Sequence, residues 1–265
     1  MNGAQFRAAA RDGKTLIGTM VNVARNLRGA TVFGQLGFDF VVVDNEHSPN
    51  SRSETADAAM AFLAAGVCPI VRVPHTEPWA TIMALDAGYH GVLVPYCETP
   101  EEVRSVVSAA RLRPLKGALH LRARDAGEFP SEETRTYLDK RNENVAMLIG
   151  IESVPAVENI EGILDVGGFD AIMIGPNDLS VSLGVPDQLE HPRYIEAVEH
   201  VVTACQRRGV PAGPHCLTEK QLAFWQSKGA RFVLFSSDWR SLGEGYRAGL
   251  TMLRGQEIGP VRRPA

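Results

Sequence analysis

Phe38-Asp39-Phe40-Val41-Val42-Val43-Asp44-Asn45-Glu46-His47-Ser48 runs an apolar, β-branched segment straight into a cluster of ionisable residues. A continuous apolar run, unlike an alternating one, predicts a strand covered on both faces, as in a parallel sheet wrapped by helices. Seven further runs share this character: Leu16 to Val21, Pro69 to Val73, Gly91 to Val94, Ala146 to Ile151, Ala171 to Ile174, Pro211 to Gly213 and Phe232 to Phe235. Between them, Ser53 to Ala65, Glu101 to Arg113, His191 to Arg208 and Glu219 to Lys228 read as helices. Thr99-Pro100-Glu101-Glu102 is a helix start, and Gly66, Gly209 and Gly229 stand just past three helix ends. Eight strand-and-helix units in about 250 residues predict an α/β fold of the (β/α)8 TIM-barrel type. A doubly wound sheet is the alternative, but Val21-Asn22-Val23-Ala24 follows the first strand where a Gly-rich dinucleotide loop would stand. Gly117 to Leu121 is a ninth strand candidate, which would displace one of the weaker runs.

No linker or low-complexity stretch divides the chain, so residues 1–265 are expected to form one domain. Ser241 to Leu253 predicts a final amphipathic helix, with Leu242, Tyr246, Leu250 and Leu253 at helical spacing. That stripe needs a surface to cover, either its own barrel or a neighbouring subunit.

Lys and Arg total 27 against 31 Asp and Glu, a formal net charge of -4, and no basic stripe is present to neutralise a phosphate backbone. A nucleic-acid partner is therefore not expected. Apolar runs such as Ala64 to Val73 break well short of the roughly 20 residues of a membrane helix. The N-terminus, with Arg7, Arg11 and Asp12, has no signal-peptide core. The expected location is the cytoplasm. Cys68, Cys97, Cys205 and Cys216 form no CxxC pair and share no zinc-like spacing with histidines, so they read as buried thiols. The five lysines lie in polar or turn contexts, which argues against a desolvated Schiff-base amine.

In a barrel of this kind, catalytic groups come from the carboxyl ends of strands. Four places qualify: Asp44 to Ser48 after the second run, Arg72 inside Pro-Ile-Val-Arg-Val, Glu152 after Leu-Ile-Gly-Ile, and Asp178 after Ile-Met-Ile-Gly-Pro-Asn. Arg72 interrupts a strand core, where an unpaired guanidinium is costly. It reads either as a structural ion pair or as a clamp on an anion or carbonyl. Glu152 and Asp178 could each cap the next helix, or together present oxygens to one hard cation. The imidazole of His47 has carboxylates close enough in sequence for one of them to fix its tautomer.

Six ordered motifs give these residues a family resemblance. Asp44-Asn45-Glu46-His47-Ser48-Pro49-Asn50, Val71-Arg72-Val73-Pro74, Leu85-Asp86-Ala87-Gly88, Leu93-Val94-Pro95, Ile151-Glu152-Ser153 and Ile174-Gly175-Pro176-Asn177-Asp178-Leu179-Ser180 resemble the successive motifs of the HpcH/HpaI aldolases. The resemblance implies a divalent-metal-dependent enzyme cleaving 4-hydroxy-2-oxo acids to pyruvate and an aldehyde. It implies Glu152 and Asp178 as metal ligands, His47 as the base with Asp44 behind it, and Arg72 on the keto oxygen. Glu46 and Asp86 would hold waters at the metal or orient Arg72, and backbone amides near Gly175, Pro176 and Asn177 would line the 2-oxo acid site. It further implies a hexamer with exchanged C-terminal helices.

The chain departs from the family pattern at four residues. Leu119 and His120 replace an Arg and a Gly, Gly150 replaces a Gln two residues before Glu152, and His215 replaces an apolar pocket residue. His120 and His215 would then line the pocket and favour a polar or anionic aldehyde.

Two carboxylates with the remaining positions open suit Mg²⁺ or Mn²⁺, with Co²⁺ as a substitute. A related lyase or decarboxylase acting on an oxaloacetate-like diacid fits the same core. A non-catalytic 2-oxo acid binding protein is a third reading, and the retention of His47 beside both acids argues against it.

Overall fold

Strands β1 (Leu16–Val21), β2 (Phe40–Asp44), β3 (Cys68–Arg72), β4 (Gly91–Val94), β5 (Ala146–Ile151), β6 (Ala171–Ile174), β7 (Ala212–Cys216) and β8 (Phe232–Ser237) pair in parallel, each with the next. β8 returns to β1 and closes the barrel in sequence order. This is the (β/α)8 architecture predicted from the apolar runs, seen here in a computed structural model that describes residues 1–261.

Period-two alternation sorts each strand's side chains into two cores. Phe40, Val42, Leu93, Leu148, Phe232 and Leu234 fill the barrel interior, while Val41, Val43, Ile149 and Ile151 face the surrounding helices. Helix α1 (Gly3–Arg11), whose Asn2 and Gln5 form a reciprocal capping box, closes the amino end of the barrel. Its Phe6 meets Phe40 edge-on at 5.5 Å, and Phe40 stacks on Phe232 at 5.0 Å. Arg7 and Arg111 grip Asp170 from either side at 2.8 Å and hold α1 in place. With this end plugged by aromatic rings, the carboxyl ends of the strands are the open face.

The outer layer is α2 (Leu27–Leu36), α3 (Arg52–Ala64), α4 (Pro78–Asp86), α5 (Pro100–Arg111), α6 (Gly117–Ala126), α7 (Glu132–Asn142), α8 (Val154–Glu158), α9 (Ile160–Val166), α10 (Pro176–Ser182), α11 (Pro192–Arg207), α12 (Glu219–Ser227) and α13 (Asp238–Arg254). Gly117 to Leu121 is thus not a ninth strand but the first half of α6. Leu119 and Leu121 remain about half exposed, at 47% and 48%, so that apolar run never enters the core. The predicted final helix is present as α13, yet none of its residues is buried against this chain, and Leu242, Tyr246, Leu250 and Leu253 all stay exposed. Among the described residues, no helix is long and apolar enough to cross a membrane.

Candidate active site

A cavity of about 450 Å³ opens at the carboxyl ends of the strands. His47, Arg72, Glu152, Gly175, Pro176, Asn177, Asp178 and His215 all line it, so eight of the residues singled out from the sequence meet in one place.

Asp44 ends β2 and is completely buried. Its Oδ1 accepts from Arg72 Nε at 3.0 Å and lies 2.9 Å from a second nitrogen of the same guanidinium. The backbone N–H groups of Glu46 and His47 donate to the same carboxylate, and the Asn22 side-chain amide donates to Oδ2 at 3.1 Å. Burial works against ionisation of Asp44, but Arg72 and these amides outweigh it and hold the carboxyl below its usual range. Glu46 takes the other side of the guanidinium, 2.8 Å from Arg72. Burial opposes the Arg72 charge, and the two carboxylates more than restore it. Arg72 is therefore both a structural ion pair and a cavity-lining cation. The ion-pair reading from the sequence is met on both sides of the guanidinium, and the same group lines the cavity, where a clamp on an anion or carbonyl would have to act.

Asp44 does not stand behind the imidazole. It reaches His47 only through the backbone N–H, and the carboxylate facing the ring is Glu46, 3.6 Å from Nε2. The geometric cause is the tight turn after β2, in which Asp44 caps the two following amides and turns its charge toward β3. The His47 side chain is 53% exposed at the rim of the cavity.

Glu152, at the end of β5, is 1% exposed. Oε2 accepts the Tyr96 backbone N–H at 3.2 Å, while Oε1 is buried with no hydrogen-bond partner. A carboxylate oxygen left in that state is costly unless something absent from the protein chain satisfies it. Burial pushes the Glu152 carboxyl up to about 7, with Glu46 and Asp178 adding repulsion that Arg72 opposes. Gly175 is required here: a Cβ at that position would lie 2.4 Å from Glu152 Oε1. Asp178 follows in the first turn of α10, on the next strand unit.

Several expected contributors are elsewhere. Asp86 lies at the far end of α4, where it pairs with Arg113 at 2.9 Å and its side chain is 62% exposed. A helix that starts after β3 carries its last residue away from the carboxyl face, so within this chain Asp86 touches neither Arg72 nor the cavity. His120 sits on α6 with Nε2 3.4 Å from Ser108, outside the cavity lining, because its segment forms a surface helix. Pro176 has no N–H and the Gly175 N–H is spent on the Ile151 carbonyl at 3.2 Å, so these two supply no free amides. His215 does line the cavity, and its Nε2–H donates to the Ser236 carbonyl at 2.8 Å. All four cysteines are buried, and burial pushes the Cys68 thiol up to about 12.

The sequence reading missed the outer wall. Trp239, Arg240, Glu244 and Arg247 from α13 also line the cavity. The Trp239 indole N–H is buried and unpartnered, and Arg240 pairs with Glu244 at 2.8 Å. Arg240 and Arg247 are seven residues apart in α13, a spacing that puts them on one helix face and could have flagged them.

The family model for HpcH/HpaI aldolase/citrate lyase matches residues 23–242, which contain Asp44, Glu46, Glu152 and Asp178. The chain belongs to the HpcH/HpaI aldolase/citrate lyase family. It is an aldolase or lyase of the HpcH/HpaI type. A 5-keto-4-deoxy-D-glucarate aldolase of Citrobacter koseri is 32% identical over 237 residues, spanning 88% of this chain and 90% of that one. The crystal structure of an HpcH/HpaI aldolase from Desulfitobacterium hafniense superposes with a TM-score of 0.80 at 28% identity, covering 97% of this chain and 98% of that one. The citrate synthase SbnG gives the same TM-score at 26% identity, covering 94% and 97%. Similar barrels thus carry more than one carbon–carbon chemistry.

Proposed function

We propose that this chain is a divalent-metal-dependent aldolase that reversibly cleaves a 4-hydroxy-2-oxo acid to pyruvate and an aldehyde. The observation that carries the reading is the buried, unpartnered Oε1 of Glu152, in one cavity with Asp178 and beside the anchored Arg72. Among the described residues, no group of three or more His, Cys, Asp or Glu is placed to hold a metal ion, so the protein would supply two carboxylates at most. A two-carboxylate site with open positions suits Mg²⁺ or Mn²⁺, or Co²⁺ in their place. Glu152 and Asp178 would hold that cation, which when bound supplies Lewis-acid stabilisation of charge developing on the keto oxygen.

Arg72 presents the cavity with a guanidinium that Asp44 and Glu46 keep charged and immobile, ready to donate to the keto oxygen as it gains charge. As the C3–C4 bond breaks, its electron pair becomes the enolate C2–C3 double bond, and the C4 hydroxyl proton leaves to the His47 imidazole. Glu46, 3.6 Å away, faces that imidazole and would orient it. The enolate then takes a proton at C3 to give pyruvate.

The distal end of the substrate would face Arg247 and the Trp239 N–H, with Arg240 beside them already paired to Glu244, a set of donors that suits an anionic group such as the carboxylate of a semialdehyde acid. This wall takes the role first read into His120. Arg247→Leu is expected to lower kcat/KM for carboxylated aldehydes by about 1.5–3 kcal/mol, the worth of a hydrogen bond to a charged group, while neutral aldehydes hold their rate. Aldol addition to matched anionic and neutral aldehydes measures this. An unchanged ratio would remove Arg247 from specificity.

The pH dependence follows from Glu152. A carboxyl raised from 4.5 to about 7 stays protonated in the folded chain where the unfolded chain has lost its proton. Its contribution to the stability of the metal-free protein is full below the unfolded value and is lost as pH rises through 7. A cation competes with that same proton, so apparent Mn²⁺ affinity is expected to fall about tenfold from about pH 8 to about pH 6, with proton release growing toward one per ion. Calorimetry in buffers of different ionisation enthalpy reads both, and a flat profile would contradict the assignment of Glu152.

We further infer a homo-oligomer, a hexamer by family resemblance, because α13 carries an exposed apolar stripe that its own barrel leaves bare. The partners would be the 2-oxo acid and the aldehyde, with no nucleic acid or membrane. Pyruvate release coupled to lactate dehydrogenase, with and without chelator, tests the proposed function. Cation-dependent release from 4-hydroxy-2-oxo acids is expected. Turnover of oxaloacetate alone would make the protein a decarboxylase instead.

A further inference from the structure

Helix α13 supplies part of the cavity wall, yet none of its residues is buried against its own barrel. Apolar packing within the chain therefore does not set its orientation. Its first turn is aimed by the backbone leading into it and by polar contacts, and those that cross to β1 converge on one side chain. Asp238 Oδ2 accepts the backbone N–H groups of Val23 at 2.8 Å and Ala24 at 2.7 Å. Oδ1 accepts the Asn22 N–H at 2.8 Å and, from its own helix, the Trp239 N–H at 2.7 Å. Short bonds from two chain segments thus meet at a single carboxylate.

The end of β8 brings that carboxylate over the end of β1. Between the Gly18–Leu234 and Met20–Ser237 pairs, β8 spends one residue more than β1, a bulge. Ser236, inside it, holds φ at 54°, in the left-handed region. Bulges re-aim the residues that follow and are frequent beside active sites. Here those residues are Ser237, whose hydroxyl caps the Arg240 N–H at 3.2 Å, then Asp238 and Trp239. Asp238 is not itself on the cavity wall, whereas Ser237, Trp239 and Arg240 around it are. The loop it grips also reaches the centre of the site, because the Asn22 side-chain amide donates to Asp44, the anchor of Arg72.

We propose that Asp238 is a positioning residue for aldehyde selection, latching the first turn of α13 to residues 22–24 so that the Trp239 indole N–H is a fixed donor on the cavity wall. The inference rests on the reading of that wall as the place of the substrate's anionic end. A donor held in place before the substrate arrives costs no ordering on binding, so the latch favours an anionic aldehyde through its affinity. Asp238→Asn keeps the shape and breaks the latch. Both carboxylate oxygens accept from N–H groups, so an amide nitrogen in either place meets a donor with a donor.

The test is aldol addition of pyruvate to 4-oxobutanoate and to its neutral methyl ester by the full-length protein with Mn²⁺. Trp239→Phe removes the donor itself and sets the scale. Asp238→Asn is expected to lower the acid-to-ester ratio of kcat/KM by about tenfold, near the worth of one hydrogen bond to a charged group, with the loss in KM for the acid. In the Trp239→Phe background the same change should cost the ratio nothing further, because the latch acts through that donor. A merely structural role would lower acid and ester alike. If Asp238→Asn does not fold, Asp238→Glu, which moves the carboxylate out by one methylene, is read in the same cycle. An unchanged ratio on breaking the latch, or a full additional loss in the double variant, would overturn the inference while a lowered ratio in Trp239→Phe kept the reading of the wall intact. An unchanged ratio in Trp239→Phe and Arg247→Leu alike would overturn both, as would a wild-type protein that adds pyruvate to neither aldehyde.

Discussion

Glu152→Gln and Asp178→Asn are each expected to lower kcat/KM by about 10³-fold or more, because each removes an anionic oxygen from a cation that contributes several kcal/mol to the transition state. The fold should survive both changes. Oε1 of Glu152 has no partner to lose, and a Gln carbonyl can still accept the Tyr96 N–H at Oε2. Asp178 lies in the first turn of a short surface helix that has no side-chain cap bond. Metal content of the purified variants, measured beside circular dichroism, separates this outcome from unfolding. Full metal occupancy in both variants would remove these residues from the ligand set.

Arg72→Ala should behave differently, losing stability as well as turnover. Asp44 is wholly buried and would keep its charge without its principal partner, a situation that costs about 3–5 kcal/mol. The direction of the pH dependence is fixed by the depressed Asp44 carboxyl. The ion pair contributes stability above the unfolded carboxyl value and loses it as pH falls through the lower folded value, so the deficit of Arg72→Ala relative to wild type should narrow in acid. Urea unfolding across that range measures it. A deficit below about 1 kcal/mol near neutrality would mean that Asn22 and the loop amides hold Asp44 unaided. Arg72→Lys keeps the charge but not the two-sided grip, and is the better probe of chemistry alone.

The barrel was legible because each strand is a short, uninterrupted apolar run, a pattern that only two-sided burial tolerates. The residues after those runs were legible for a related reason: a polar group directly past a buried strand has one open face to point toward. Glu152, Asp178 and His47 were found that way, Arg72 because it interrupts an apolar run, and all four line one cavity. What failed was any inference depending on which way the chain turns next. Gly117 to Leu121 has apolar content without β-branched residues, and only the tertiary structure shows that Leu119 and Leu121 stay in solvent. His120 was displaced from the pocket with that segment, and Asp86 was carried off by the length of α4. The partner of His47 is Glu46 and not Asp44, since sequence spacing cannot tell a carboxylate that caps backbone amides from one that faces a ring. Arg240 and Arg247 share one helix face by their spacing. Their place at the cavity follows from the direction that face turns, which no local pattern encodes. The capping box of α1, by contrast, is a purely local signal, carried by Asn2 and Gln5 three residues apart.

Exchange of the pyruvate methyl protons with deuterium, followed by proton NMR in D₂O, tests the proposed enolate chemistry most directly, because it needs no knowledge of the aldehyde. With Mg²⁺ or Mn²⁺ added, the wild-type protein should accelerate exchange well above the buffer rate, chelator and Glu152→Gln should abolish the acceleration, and Arg72→Lys should slow it. A folded wild-type protein that exchanges pyruvate no faster than buffer with Mg²⁺, Mn²⁺ and Co²⁺ alike would contradict a pyruvate enolate at this site.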